Sequence, residues 1–210
     1  MISDKSKFIY IHIPKTAGES VEEALSGRFK DSRIVSSDPH WNIIIKHDTY
    51  IEHDYSTEES LDNFFTFSFV RNPWDRMVSH WKYFMETKRS PEMPFEEFVF
   101  DFHRVLKEAV NGHWWNPYRK YIFTAPQLDF LTNDKGEVKV DFVGRFENLQ
   151  ADFNFICKKL NTKEMQLPHK NKTSRKGYKE YYKTQELVDE VGGRYKKDIE
   201  YFKYNFDDNL

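Results

Sequence analysis

The 210-residue sequence predicts a single α/β domain of three layers, with a mainly parallel sheet and a P-loop-like strand-loop-helix near its start. Three observations carry this. Phe8 to Ile13 are bulky, aromatic or β-branched apart from His12, and the run stops at Pro14 before a helical pattern begins near Glu19. Phe64 to Val70 is a second strand run, uninterrupted enough to be covered on both faces, and it passes straight into a second helical pattern. Strand-like and helix-like segments then go on alternating to the C-terminus. The length suits one domain over residues 1–210, with room for a real core.

In the first unit of the pattern, Gly18 permits a turn or a close backbone approach, and Val21, Ala24 and Leu25 share a helix face. Ile43-Ile44-Ile45 is a short strand candidate, and Ile51 to Ser60 reads as an acidic loop. After Val70, Asn72 is a good N-cap, Pro73 a favoured first helical residue and Asp75 an acid for the first turn. Trp74, Met77, Val78, Trp81 and Met85 recur at helical spacing and predict a helix of about fourteen residues. Phe95 to Ala109 carries another amphipathic pattern. Gly112 to Pro126 is aromatic and irregular, Asn133 to Gly136 is a turn, and Val138 to Phe146 reads as a strand. A 3-4-3-4 apolar stripe from Phe146 to Leu160 predicts a helix holding Cys157. The last helix spans about Thr184 to Phe202, with Gly192-Gly193 as the place for a bend.

Composition excludes some classes. Aromatic content is 17% and charged content 31%, and the charges nearly cancel to −2, which argues against a general nucleic-acid binder. A single cysteine rules out an internal disulfide and suits a reducing, cytoplasmic setting. No run of about 18 apolar residues and no signal-peptide pattern is present, so a soluble chain with no stable membrane insertion is expected.

Two strand-to-helix junctions, Lys15–Ser20 and Arg71–Ser79, open where ligands of parallel α/β sheets bind. In the first, loop amides and a helix start supply partial positive charge and Lys15 a full one. It is not the Walker sequence, because Lys15 precedes Gly18. A third basic stretch, His169 to Lys179, holds five Lys or Arg and no acid. By itself that stretch is a solvated loop. Together the three suggest a ligand with several anionic groups.

Ile13-Pro-Lys-Thr-Ala-Gly-Glu-Ser20 and Phe69-Val-Arg-Asn-Pro-Trp-Asp-Arg-Met-Val-Ser79 resemble the two cofactor-binding motifs of sulfotransferases. The carbohydrate branch, with its heparan and chondroitin enzymes and compact bacterial relatives, is the most similar. Lys46-His47-x-Thr49, His113-Trp114, Asp141 to Leu149, Leu167 to Lys172 and Tyr181-Tyr182 extend the resemblance over nearly the whole chain. It implies 3′-phosphoadenosine 5′-phosphosulfate (PAPS) as sulfuryl donor, its bisphosphate (PAP) as product and no metal. The acceptor is a hydroxyl on a glycan or small metabolite. Lys15, Thr16, Ala17, Gly18, Glu19 and Ser20 then form the phosphosulfate loop, and Arg71 and Ser79 hold the 3′-phosphate. Arg175 and Lys176 resemble a further 3′-phosphate motif of cytosolic sulfotransferases. Glu19 departs from the family, which more often has Thr or Ser there.

Removing the acceptor proton requires a base, and imidazole suits that task. Of eight His residues, His47 fits the family's Lys-His-x-Thr pattern; His53, His113 and His169 compete, and Glu19 could share the role. His12 reads as a packed core residue and His80 as structural. His47 and His53 with nearby Asp48, Glu52 and Asp54 match no familiar metal-ligand spacing. A nucleotide kinase or other P-loop phosphotransferase is the alternative among enzymes, disfavoured by the missing Walker lysine. A catalytically silent nucleotide- or glycan-binding module is the alternative outside them, against which Lys15, His47, Arg71 and Ser79 argue together. Trp114, Trp115 and Tyr118 could form a stacking wall for a sugar or simply pack.

Overall fold

The computed structural model describes residues 1–34, 61–87, 92–101, 123, 125–133, 135–168 and 176–208. They contain strands β1 (Ile2–Ser3), β2 (Phe8–Ile11), β3 (Phe65–Val70) and β4 (Phe142–Arg145). Their helices are α1 (Gly18–Arg28), α2 (Pro73–Glu86), α3 (Phe95–Phe100), α4 (Leu149–Lys159), α5 (Gln185–Arg194) and α6 (Lys196–Phe202). The chain divides into two compact units, Met1–Val70 with Gln127–Lys172 and Arg71–Pro126 with Thr173–Leu210. The expected strand at Ile43 to Ile45 and the continuation of the Phe95 helix to Ala109 lie outside the described residues.

The first unit is built on one sheet of order β1-β2-β3-β4. β1 runs antiparallel to β2, whereas β2 pairs with β3 and β3 with β4 in parallel, so the sheet is mainly parallel as expected. Successive side chains of a strand point to opposite faces. Phe8 and Tyr10 of β2 and Phe67 and Phe69 of β3 therefore share one face. Val21 and Leu25 of α1 and Phe153, Ile156 and Cys157 of α4 join them in one buried cluster. Each set recurs at helical spacing, and burying each such side chain is worth about 1.5–3 kcal/mol. Gly144 is required where β4 passes Phe69, because a Cβ there would come within 2.6 Å of the ring.

Two strands are shorter than their sequence runs. β2 stops at Ile11, and His12 already belongs to the loop. β4 begins at Phe142 rather than Val138, which makes only an isolated bridge to Thr132. The reason is Asp141: its carboxylate accepts from the Thr66 amide at 2.7 Å and the Thr66 hydroxyl at 2.8 Å, replacing backbone ladder bonds there.

The second unit forms around α2. Trp74, Met77, Val78 and Phe84 pack with Phe95, Phe98 and Val99 of α3, Leu187 and Val191 of α5, and Tyr178, Tyr182 and Tyr195. The expected helix from Thr184 to Phe202 is two helices. It breaks at Tyr195 (φ −109°, ψ 28°) and not at Gly192-Gly193, which lie inside α5. Tyr195 is 1% exposed, and its ring lies 5.6 Å from the Arg76 guanidinium, so burial of that ring sets the break. Among the described residues no helix is long and apolar enough to cross a membrane.

Candidate functional site

The chain leaves β2 through His12, Ile13 and Pro14 and enters α1 at Gly18. Within this loop Lys15 (φ 69°) and Ala17 (φ 67°, ψ 22°) are left-handed, while the intervening Thr16 is not. Neither is glycine, and holding an ordinary residue there costs about 1–2 kcal/mol. Alternation of this kind turns successive amide N–H groups into one concavity, the arrangement that cradles anions. Ala17 is also the N-cap of α1 and supplies no side-chain cap to its first amides. Alanine is among the poorest N-cap residues. The Ser20 amide donates to Ala17 O at 3.0 Å, and Lys15, half-buried, stands one turn before the helix.

Gly18 is needed for close approach and not for left-handed backbone. A Cβ at this position would fall 1.9 Å from His12 Nε2. The imidazole therefore occupies the space beside the first turn of α1, and its Nδ1 lies 2.8 Å from Glu22 Oε1 one turn further on. Both are buried, at 4% and 5% exposure. His12 is packed, as its place in the sequence suggested, but as half of a polar pair that ties the end of β2 to α1. The pairing was legible only in part, since nothing local marks Glu22 as its partner. The Thr16 hydroxyl donates to Ile13 O at 2.8 Å, so the contact expected of Thr16 with an anion falls to its amide. Ser20 is buried, and Glu19 is exposed on the first turn.

In the second unit Arg71 precedes α2. Its Nε donates to Asp75 Oδ2 at 2.8 Å and its Nη2 lies 2.7 Å from the same oxygen, with both residues 5% exposed. Asn72 caps α2 as the sequence predicts, its side-chain oxygen accepting from the amides of Trp74 at 3.1 Å and Asp75 at 3.5 Å. The first turn is tethered further: Asn72 Nδ2 donates to Asn205 O at 3.0 Å, Trp74 Nε1 to Val188 O at 2.9 Å, and the Tyr182 hydroxyl to Trp74 O at 2.9 Å. Ser79, half-buried, stands four residues beyond Asp75 as Asp75 stands four beyond Arg71, which puts the three in one row. The i,i+4 spacing of Arg71 and Asp75 was the one sequence signal for that ion pair.

Arg76 was not foreseen. It is 1% exposed, donates from Nη1 to Ala125 O at 3.2 Å and stacks over Tyr195; burial pulls its pKa down, against the pull of Tyr195 and Asp198. His80 is fully buried, edge-on to Phe123 at 6.0 Å, as a structural residue would be. Lys176 is exposed, 3.6 Å from Glu180. His47, His53, His113, Trp114, Trp115, Tyr118, His169 and Arg175 lie outside the described residues. Among the described residues no cluster of three His, Cys, Asp or Glu side chains is placed to hold a metal ion.

An uncharacterized protein of Archaeoglobus fulgidus is 30% identical over 105 residues, 50% of this chain and 73% of its own length. Carbohydrate sulfotransferase 11 of Rattus norvegicus is 24% identical over 197 residues, covering 75% of this chain and 51% of that protein. The Mus musculus protein of the same name is 24% identical over 195 residues, with 74% and 51% covered. The chain thus spans about half the length of these two sulfotransferases. No solved structure matches it significantly. The sequence model of the sulfotransferase family aligns with residues 1–205, taking in both strand-to-helix junctions, and the chain belongs to that family.

Proposed function

We propose that the protein moves a sulfuryl group from PAPS to a hydroxyl, with a carbohydrate as the acceptor class. Family membership supports sulfuryl transfer, and the distant likeness to carbohydrate sulfotransferase 11 supports the acceptor class. The observation that carries the reading is the Lys15 loop: two left-handed residues leading into a helix start with no side-chain cap, and one lysine, an arrangement that suits a phosphosulfate. When bound, PAPS supplies a sulfuryl group activated on a bridging phosphate oxygen.

This chain's residues do the rest. Lys15 neutralises the charge that builds on the bridging oxygen as its bond to sulfur breaks. Amides of Thr16, Ala17 and Gly18 with the Ser20 hydroxyl hold the 5′ group, and Arg71 and Ser79, with Arg175 and Lys176, hold the 3′-phosphate. His47 takes the acceptor hydroxyl proton as that oxygen bonds to sulfur; His53 and Glu19 are its rivals. A single three-layer domain over residues 1–210 is part of this proposal. A cytoplasmic setting is part of the proposal, supported by the lone, buried Cys157, whose thiol pKa burial raises.

The test is a transfer assay from PAPS over glycans, phenols and small alcohols without magnesium. Turnover is expected with a glycan acceptor, falling by roughly 10²–10⁴-fold in His47→Ala with PAP affinity nearly unchanged. Absence of turnover with every acceptor, together with no PAP binding, overturns the reading.

A further inference from the structure

We infer that Asp75 is a positioning residue that sets specificity for the 3′-phosphate by aiming Arg71, an inference resting on the cofactor reading above. Two facts about the unit carry it. Arg71 is buried, and both Nε and Nη2 converge on a single carboxylate oxygen, Asp75 Oδ2, at 2.8 and 2.7 Å. That arrangement fixes the plane and the roll of the guanidinium, and a planar fork binds a phosphate well only in one plane.

Asp75 is itself held. It sits in the first turn of a helix that Asn72 caps and that Asn72, Trp74 and Tyr182 tie to the segment between residues 178 and 205. The aim of the fork is therefore set before a ligand arrives, and little ordering is left to the moment of binding.

The charge logic is what makes the inference testable. Asp75 brings a negative charge beside a residue proposed to bind an anion, which by simple attraction lowers affinity. If it acts only as a local counter-charge, removing it tightens binding of the bisphosphate. If it positions Arg71, removing it loosens that binding, although the opposing charge is gone. A carboxylate needed only for folding gives a third pattern, a loss of stability with the ligand preference kept.

Calorimetry of PAP and AMP without magnesium, on wild type, Asp75→Ala and Asp75→Glu, separates these. Wild type is expected to prefer PAP. Asp75→Ala is expected to lose at least about tenfold in PAP affinity while AMP affinity changes little. Asp75→Glu keeps the charge but displaces the oxygen by one methylene, and is expected to lose part of the preference; it decides alone if Asp75→Ala does not fold. A preferring wild type with the preference kept or raised in the variants overturns this inference and leaves the cofactor reading standing. A wild type that binds PAP and AMP equally overturns both.

Discussion

The two strand-to-helix junctions solve the same problem in opposite ways. At the start of α2, Asn72 takes up the first amides, Pro73 removes one donor outright, and three side-chain bonds pin the turn. That helix start is closed, and on the proposed reading what it offers an anion comes from side chains, Arg71 and Ser79. At the start of α1, Ala17 supplies no side-chain cap, two residues sit in left-handed backbone, and His12 fills the space beside the turn. That start has no side-chain cap, and on the proposed reading what it offers an anion comes from loop amides and Lys15. At an ordinary extended N-cap such as Asn72, the side-chain cap is worth about 1 kcal/mol over alanine. On the proposed reading, stability is set aside for binding at the start of α1 and kept at the start of α2.

The largest effects are expected at the α1 junction. Lys15→Ala should lower turnover by roughly 10²-fold or more while weakening PAP binding less, and Lys15→Arg should not restore it, because the planar fork is larger and aimed differently. Gly18→Ala drives a methyl group into the His12 ring, and overpacking of this kind costs about 1–3 kcal/mol of stability. Melting curves and a transfer assay on the same samples read both. Wild-type turnover in Lys15→Ala would remove the loop from the mechanism.

Next in size is the capping contrast. Asn72→Ala should destabilise the protein by about 1–2 kcal/mol. PAP affinity should change far less than in Arg71→Ala, for which losing one charge-assisted phosphate contact predicts about tenfold or more. Ala17→Asn puts a residue that tolerates left-handed backbone at that position, so it should raise stability by about 0.5–1 kcal/mol. Urea titration and calorimetry give both numbers. A loss of stability in Ala17→Asn contradicts the view that alanine is strained at that position.

How much of this the sequence showed follows the same division. Capping is local, so Asn72 and Pro73 announced the closed helix start, and the fourteen-residue α2 was read almost to its ends. The strands of the parallel core were legible from Phe8-Ile9-Tyr10-Ile11 and Phe64 to Val70. Their limits were not, because Asp141 ends the β4 ladder by reaching Thr66, 75 positions earlier in sequence. The α1 junction was seen as strand, loop and helix, and Gly18 as a turn or a close approach, of which the structure has the second. Its strain fell on Lys15 and Ala17, residues with no preference for that backbone, so no local signal marked them. The break at Tyr195 was missed for the same reason: glycine suggests flexibility locally, whereas a buried ring over Arg76 is a tertiary fact.

The smallest predicted effect compares one tyrosine from each unit. Burial raises the pKa of Tyr10 well above its ordinary value, and Glu22 pushes the same way. Burial also raises Tyr182, helped by Tyr195, Asp75 and Tyr178 and opposed by Arg194. In each case the folded state holds its proton more tightly than the unfolded chain, whose tyrosines titrate near 10. Stability from these groups is therefore complete below about pH 10 and lost as pH rises beyond it, since only the unfolded state gives up its protons there. Tyr10→Phe and Tyr182→Phe should each flatten that alkaline fall in urea-unfolding free energy. At neutral pH Tyr182→Phe should cost about 0.5–1.5 kcal/mol, for the lost bond to Trp74 O in the pinned turn of α2. An alkaline fall as steep in both variants as in wild type means that neither hydroxyl is held neutral by the fold.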